Sequence, residues 1–73
     1  MIEVRVFSSL RKGRDKITML PAEDFTKVAD ILRHMDISTQ EVAILLINGF
    51  HSKPEDTVKD GDIVALFPAV GGG

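Results

Sequence analysis

With 73 residues, a formal net charge of −2 and no cysteine, the chain is one small domain whose core must hold by packing alone, without disulfide, thiolate ligand or thiol nucleophile. Hydrophobic residues at 44% and charged residues at 27% exclude a disordered chain. The longest apolar run, Val42 to Ile47, is far short of a bilayer span, and no charged-then-apolar leader opens the chain, so a cytoplasmic protein with no membrane partner is expected.

The opening "MIEVRVF" alternates Ile2, Val4 and Val6 with Glu3, Arg5 and Phe7, the period of a half-buried strand. Phe7 breaks the polar side of that alternation. Ser8, Ser9 and Gly13 supply turn chemistry, and "DKITML" returns as a second strand until Pro21, so residues 1–20 predict a β-hairpin with a wide loop. That stretch holds five basic side chains (Arg5, Arg11, Lys12, Arg14, Lys16) against Glu3 and Asp15, whereas residues 21–73 hold four basic against nine acidic. The basic cluster at 11–16 suits an acidic partner or a solvated hairpin tip. No aromatic residue is interleaved to stack on bases, so no nucleic-acid partner is expected.

In "DFTKVADILRHMD" the apolar residues Val28, Ile31, Leu32 and Met35 fall at i, i+3, i+4 and i+7, one face of a helix. Thr26 is the expected N-cap, and Arg33 and His34 stand in the last turn, where the helix dipole favours positive charge. "VAILLING" predicts a buried strand, Asn48-Gly49 a tight hairpin turn, and residues 50–53 a short return strand ended by Pro54. "EDTV" predicts a turn or a single helical turn, and "KDGD" a tight turn before the last strand, "IVALFP". The order ββαββ gives an α+β domain with its helix across one face of a mixed sheet. Pairing the first and last strands in parallel at the centre makes it a β-grasp over residues 1–70, followed by a flexible glycine tail, 71–73.

Inventories of catalytic groups come up empty. His34 and His51 lie on different elements, Ser8 and Ser9 have no partnered base, and Glu23-Asp24 and Glu55-Asp56 adjoin turns, where carboxylates cap and solvate. No metal site is expected. Glycines 71–73 have no helix after them, which rules out a phosphate-binding loop. A tail without β-carbons can instead thread a narrow channel and present the α-carboxylate of Gly73. A carboxylate is inert until activated. Adenylylation by ATP would give an acyl-adenylate open to attack by sulfur or by an amine, and a separate enzyme must supply the nucleotide site. Without cysteine, any sulfur carried would be a thiocarboxylate at Gly73. Alternation of the last strand assigns Val64 and Leu66 to the core and leaves Phe67 exposed beside Pro68 and Val70 as a docking patch. A register shifted by one would bury Phe67 instead.

The segments "MIEVRVFSSLR", "FTKVADILRHM", "INGF" and above all "VKDGDIVALFPAVGGG" make the chain similar to the ubiquitin-like β-grasp sulfur carriers, the family of the molybdopterin synthase small subunit and the thiamine-pathway carrier (MoaD/ThiS-like). By that resemblance Asp60-Gly61-Asp62 is the family turn, Phe67-Pro68 the partner-facing strand end, Gly71 a variable position and Gly72-Gly73 the reactive diglycine. Arg11 stands where the family has an arginine that contacts the activating enzyme, whereas Ala69 replaces a frequent proline. The resemblance implies no bound cofactor and no catalysis by the chain itself. A ubiquitin-activating-like adenylyltransferase using MgATP, a sulfurtransferase and a synthase large subunit would be the partners of a protein monomeric in isolation. It implies sulfur donation in molybdopterin (molybdenum or tungsten cofactor) biosynthesis, with thiamine thiazole synthesis as an alternative. A modifier joined to lysines through Gly73 and a plain binding module indifferent to its glycines remain open.

Overall fold

In the computed structural model, which describes residues 1–69, strands β1 (Ile2–Val6), β2 (Ile17–Leu20), β3 (Val42–Ile47), β4 (Phe50–His51) and β5 (Ile63–Pro68) accompany one helix, α1 (Val28–His34). They form one mixed sheet in the order β2-β1-β5-β3-β4. The central pair, β1 and β5, is parallel, and the other pairs are antiparallel. This is the expected α+β β-grasp. The return segment adds a short strand to the ββαββ order, and it ends at His51 rather than Lys53.

Strand alternation sends every second side chain to one face. Ile2, Val4 and Val6 of β1 and Val64 and Leu66 of β5 are buried together with Val28, Ile31 and Leu32 of α1. Each such side chain contributes roughly 1.5–3 kcal/mol on burial, and a helix of seven residues has no stability without that packing. Between β1 and β2 the wide loop holds a 3₁₀ turn, Ser8–Arg11, which buries Leu10 under the same core. Asn48 and Gly49 have φ of 53° and 85°, the left-handed pair that the tight hairpin requires. Asn48 also reaches β5: its side chain accepts from Ile63 N–H and donates to the buried Asp62 carboxylate, both at 2.9 Å.

The helix start departs from expectation. Thr26 is not the N-cap; its carbonyl accepts from Val58 N–H at 2.9 Å. Lys27 occupies the cap position beside an isolated bridge to Thr57. The Asp30 carboxylate reaches back to the N–H groups of Lys27 and Thr26 at 3.0 and 3.2 Å. Two further first-turn donors, Val28 and Ala29 N–H, bond the carbonyls of Asp56 and Pro54. Partners distant in sequence therefore satisfy groups that a local cap would otherwise serve.

At its other end α1 closes in a Schellman motif. Ile37 N–H bonds Leu32 O at 2.9 Å and Asp36 N–H bonds Arg33 O at 3.2 Å, with Asp36 at φ 57°. Arg14 crosses from the β1–β2 loop and donates to the carbonyls of Leu10, Met35 and Asp36 at 2.9, 3.3 and 3.0 Å. Its positive charge lies against the negative end of the helix. His34 stands in the last turn as expected, with its ring edge-on to Phe25 at 5.3 Å.

Arg14→Ala removes two donors from carbonyls at the helix end and one from Leu10 in the 3₁₀ turn and is expected to cost about 1–3 kcal/mol, read as a drop of about 4–8 °C in Tm per kcal/mol. Backbone hydrogen bonds from Lys27 and then Thr26 hold the Asp30 carboxyl below its ordinary range. A folded-state pKa below the unfolded one gives stability that is present above the unfolded value, about 3.9 for aspartate, and lost as pH falls through the folded value. Denaturant titrations from pH 6 to pH 2 should therefore show a shallower acid loss in Asp30→Asn than in the parent chain.

Candidate functional site

Proline has no N–H for a ladder and is tolerated inside a sheet at a bulge. Pro68 ends the central strand β5 opposite Val42, and the pairing of β3 with β5 shifts register between Val42 and Ile44. Past that point Ala69 N–H bonds Glu41 O at 3.2 Å. Glu41 is itself fixed by a capping box, with Ser38 N–H on its carboxylate at 2.8 Å. The root of the C-terminal segment thus has a defined anchor. Val70, Gly71, Gly72 and Gly73, the expected reactive tail and part of its docking patch, lie outside the described residues.

The sheet face away from α1 carries rows of side chains set by register. Nearest the tail root, Ile44 pairs with Phe67, and Phe7 follows Val6, the partner of Leu66. Behind them lie Leu46, Ala65, Arg5 and Ile17, then Ile63, Glu3 and Met19. Ile17, Met19, Ile44 and Ile63 are 46, 49, 42 and 37% exposed, so no other part of the described chain covers this face. The ion pair of Arg5 with Glu3 interrupts it.

Val64 and Leu66 are buried as assigned, which fixes the register and leaves Phe67 off the core. Phe67 is nevertheless half-buried rather than exposed. The Phe7 ring stacks on it with centroids 4.4 Å apart and planes 7° from parallel. Sequence reasoning does not place Phe7 beside Phe67; its break in the polar alternation of the first strand is the one local signal of that position. The strand "VAILLI" likewise departs from a buried run, because Ala43 and Ile44 are exposed at the register shift on a one-sided sheet.

Arg11 closes the 3₁₀ turn that packs beside β5, and it is exposed, as are Lys12 and Lys16. With Arg14 committed to backbone carbonyls, these three cations and Asp15 set the charge of the loop at the tail end. Elsewhere the candidate groups stay apart: His34 ends α1, His51 lies on β4, and Ser8 and Ser9 are exposed. Among the described residues no cluster of three His, Cys, Asp or Glu side chains is placed to hold a metal ion. No described helix is long and apolar enough to cross a membrane. A hollow between α1 and the 3₁₀ turn Thr39–Glu41 is lined by Leu32, Asp36, Ile37, Ser38, Thr39 and Glu41; Ser38 Oγ accepts from Gln40 N–H and the Glu41 carboxylate from Ser38 N–H, so both side chains serve as caps of that turn. The open apolar rows at the root of the C-terminal segment are suited to docking a surface.

Known proteins share this frame. The ThiS family model matches residues 4–73. The crystal structure of SAMP1, small archaeal modifier protein 1, from Haloferax volcanii superposes with TM-score 0.74 at 23% identity, covering 99% of this chain and 98% of that one. The solution structure of the Haloferax volcanii HVO 2177 protein matches with TM-score 0.75 at 25% identity over 99% of this chain and 85% of that one. A complex of subunits 1 and 2 of the molybdopterin-converting factor from Helicobacter pylori contains a chain matching at TM-score 0.63 and 23% identity, covering 99% and 97%. The family match spans nearly the whole chain, including the strand that ends in Phe67-Pro68 and the glycines beyond it, and on that extent the chain belongs to the ThiS family of ubiquitin-like β-grasp proteins.

Proposed function

We propose that this chain is a noncatalytic sulfur carrier that delivers sulfur from a Gly73 thiocarboxylate, with molybdopterin biosynthesis as the receiving pathway. The observation that carries the reading is the family match running through residue 73, and so through Gly72-Gly73. The α-carboxylate of Gly73 attacks the α-phosphorus of ATP on a partner enzyme and releases pyrophosphate. Hydrosulfide-level sulfur then attacks the acyl carbon, and AMP leaves with the electrons of the broken C–O bond; where the donor is a sulfurtransferase persulfide, a thiol reduces the S–S bond of the resulting acyl disulfide to give the thiocarboxylate. The thiocarboxylate enters a synthase, where its sulfur bonds the substrate and water cleaves the acyl C–S bond, returning Gly73 to a carboxylate.

Docking is assigned to the open face at the tail end. Phe67 gives apolar area, Ile44 and Leu46 extend it, and Arg11, Lys12 and Lys16 border it. A nucleic-acid role has no support in this arrangement, since the paired rings lie flat on one another rather than open to bases. The subunit pairing named in the Helicobacter pylori complex supports a synthase large subunit as one occupant of this face. An activating adenylyltransferase and a sulfurtransferase complete the set of partners. The name of SAMP1 keeps a second use in view, in which a lysine amine instead of sulfur attacks the activated Gly73.

Incubation with an activating enzyme, MgATP and a sulfur donor should raise the intact mass by the replacement of one oxygen with sulfur. The gain should map to the C-terminal peptide and be absent from a chain lacking Gly72-Gly73. Adenylation without that gain, accompanied by conjugates on lysine, would replace the carrier reading with the modifier. Charge reversal by Arg11→Glu should raise KM for the carrier in the adenylation reaction about three- to tenfold, an effect that shrinks as salt is added.

A further inference from the structure

Phe7 occupies a position where strand alternation calls for a polar residue, and the core does not use it, since its neighbours Val6 and Leu10 fill the helix side. We propose that Phe7 is a positioning residue for partner docking, acting through Phe67 by fixing the orientation of that ring at the root of the C-terminal segment. The inference rests on the carrier reading for the identity of what docks, and on the geometry of the rings for how.

Three features of the backbone hold Phe7 in place. Its N–H donates to Leu66 O at 3.2 Å, which clamps it to β5 one residue before Phe67, and its carbonyl accepts from Leu10 N–H at 3.2 Å. Its own φ and ψ, −124° and 152°, are those of a strand. Immediately after it Ser8 takes φ 56°, a left-handed value that a side chain with a β-carbon adopts at a cost. The chain thus leaves the sheet directly behind Phe7, so that Phe7 is the last residue of the first strand able to lie beside Phe67. Backbone strain next to a surface aromatic marks a place where position is held against local preference.

The stack itself gives direction. With faces about 3.5 Å apart in van der Waals contact, a centroid separation of 4.4 Å at 7° is a parallel pair slipped sideways, the arrangement that ring quadrupoles favour over a full overlap. On an uncovered strand face an isolated phenylalanine has two common χ1 positions. Phe7 on one flank and Ile44, its cross-strand partner, on the other leave Phe67 one orientation. A ring already ordered loses less entropy when a partner covers it, so the gain appears as tighter docking rather than faster chemistry.

The test compares Phe7→Leu, Phe7→Tyr, Phe67→Ala and the double variant Phe7→Leu/Phe67→Ala in ATP–pyrophosphate exchange with a ubiquitin-activating-like adenylyltransferase, alongside thermal unfolding. Phe7→Leu should raise KM about two- to tenfold with kcat unchanged, Phe7→Tyr should restore the parent KM, and Phe7→Leu should add nothing to Phe67→Ala. Losses that add in the double variant, or a Phe7→Leu effect matched by the fraction unfolded, overturn the proposal. If the enzyme does not adenylate the parent chain, the carrier reading fails on its own, and the free protein still decides the positioning. In the parent chain the Phe67 Hα–Hβ couplings should report one χ1 rotamer, and in Phe7→Leu averaged couplings. The same single rotamer, or the same averaging, in both chains overturns it.

Discussion

Everything at the functional end depends on the parallel pairing of β1 with β5 at the centre of the sheet. Val4 beside Val64 and Val6 beside Leu66 place four buried side chains under α1. The same register, carried one residue further, sets Phe7 beside Phe67 on the opposite face. Core packing and docking surface are therefore two readings of one alignment. A slip of one residue would send the core valines outward and the rings inward, so the hydrophobic effect that stabilises the fold also protects the geometry of the site.

A central strand has both ladders occupied, and this matters for the proposed presentation of the C-terminal segment to other proteins. β5 is held by β1 on one side and β3 on the other, and beyond the bulge Ala69 is tied to Glu41. Force or strain applied at the C-terminal segment meets hydrogen bonds on both flanks, whereas an edge strand would meet one ladder and fray more readily. Pro68 contributes by ending the ladder at a defined residue, since it offers no N–H to extend it.

Much of this was legible in local pattern. Alternation identified the faces of β1 and β5, Asn48-Gly49 identified its hairpin, and the spacing of Val28, Ile31 and Leu32 identified the buried side of α1. The features that were not legible are long-range. Thr26 has the chemistry of an N-cap, yet its backbone is committed to Val58, and Asp30 takes over from inside the helix. Arg14 reads as one of a basic cluster, whereas its guanidinium closes the far end of α1 across a separation of more than twenty residues. The half-burial of Phe67 needs Phe7, whose nearness in space follows from strand order and not from any local spacing. In each case a group with a plausible local role is captured by a partner that only the topology brings near.

Size explains why an apolar face is left uncovered at all. A domain of 73 residues with one seven-residue helix can cover one side of a five-stranded sheet, and the other side must meet either solvent or a partner. Ile17, Met19, Ile44 and Ile63 would make that side a liability in a monomer, and the Arg5–Glu3 ion pair set among them divides it into smaller apolar areas. The area nearest the tail root is the one with aromatic rings, and aromatic residues in a preordered patch are the side chains that contribute most to protein association. Under the proposed function such a domain needs only to be recognised and to offer a carboxylate. The proposed division of labour follows from this: the small chain supplies a rigid address and a chain end, and the activating chemistry resides in whatever protein reads the address.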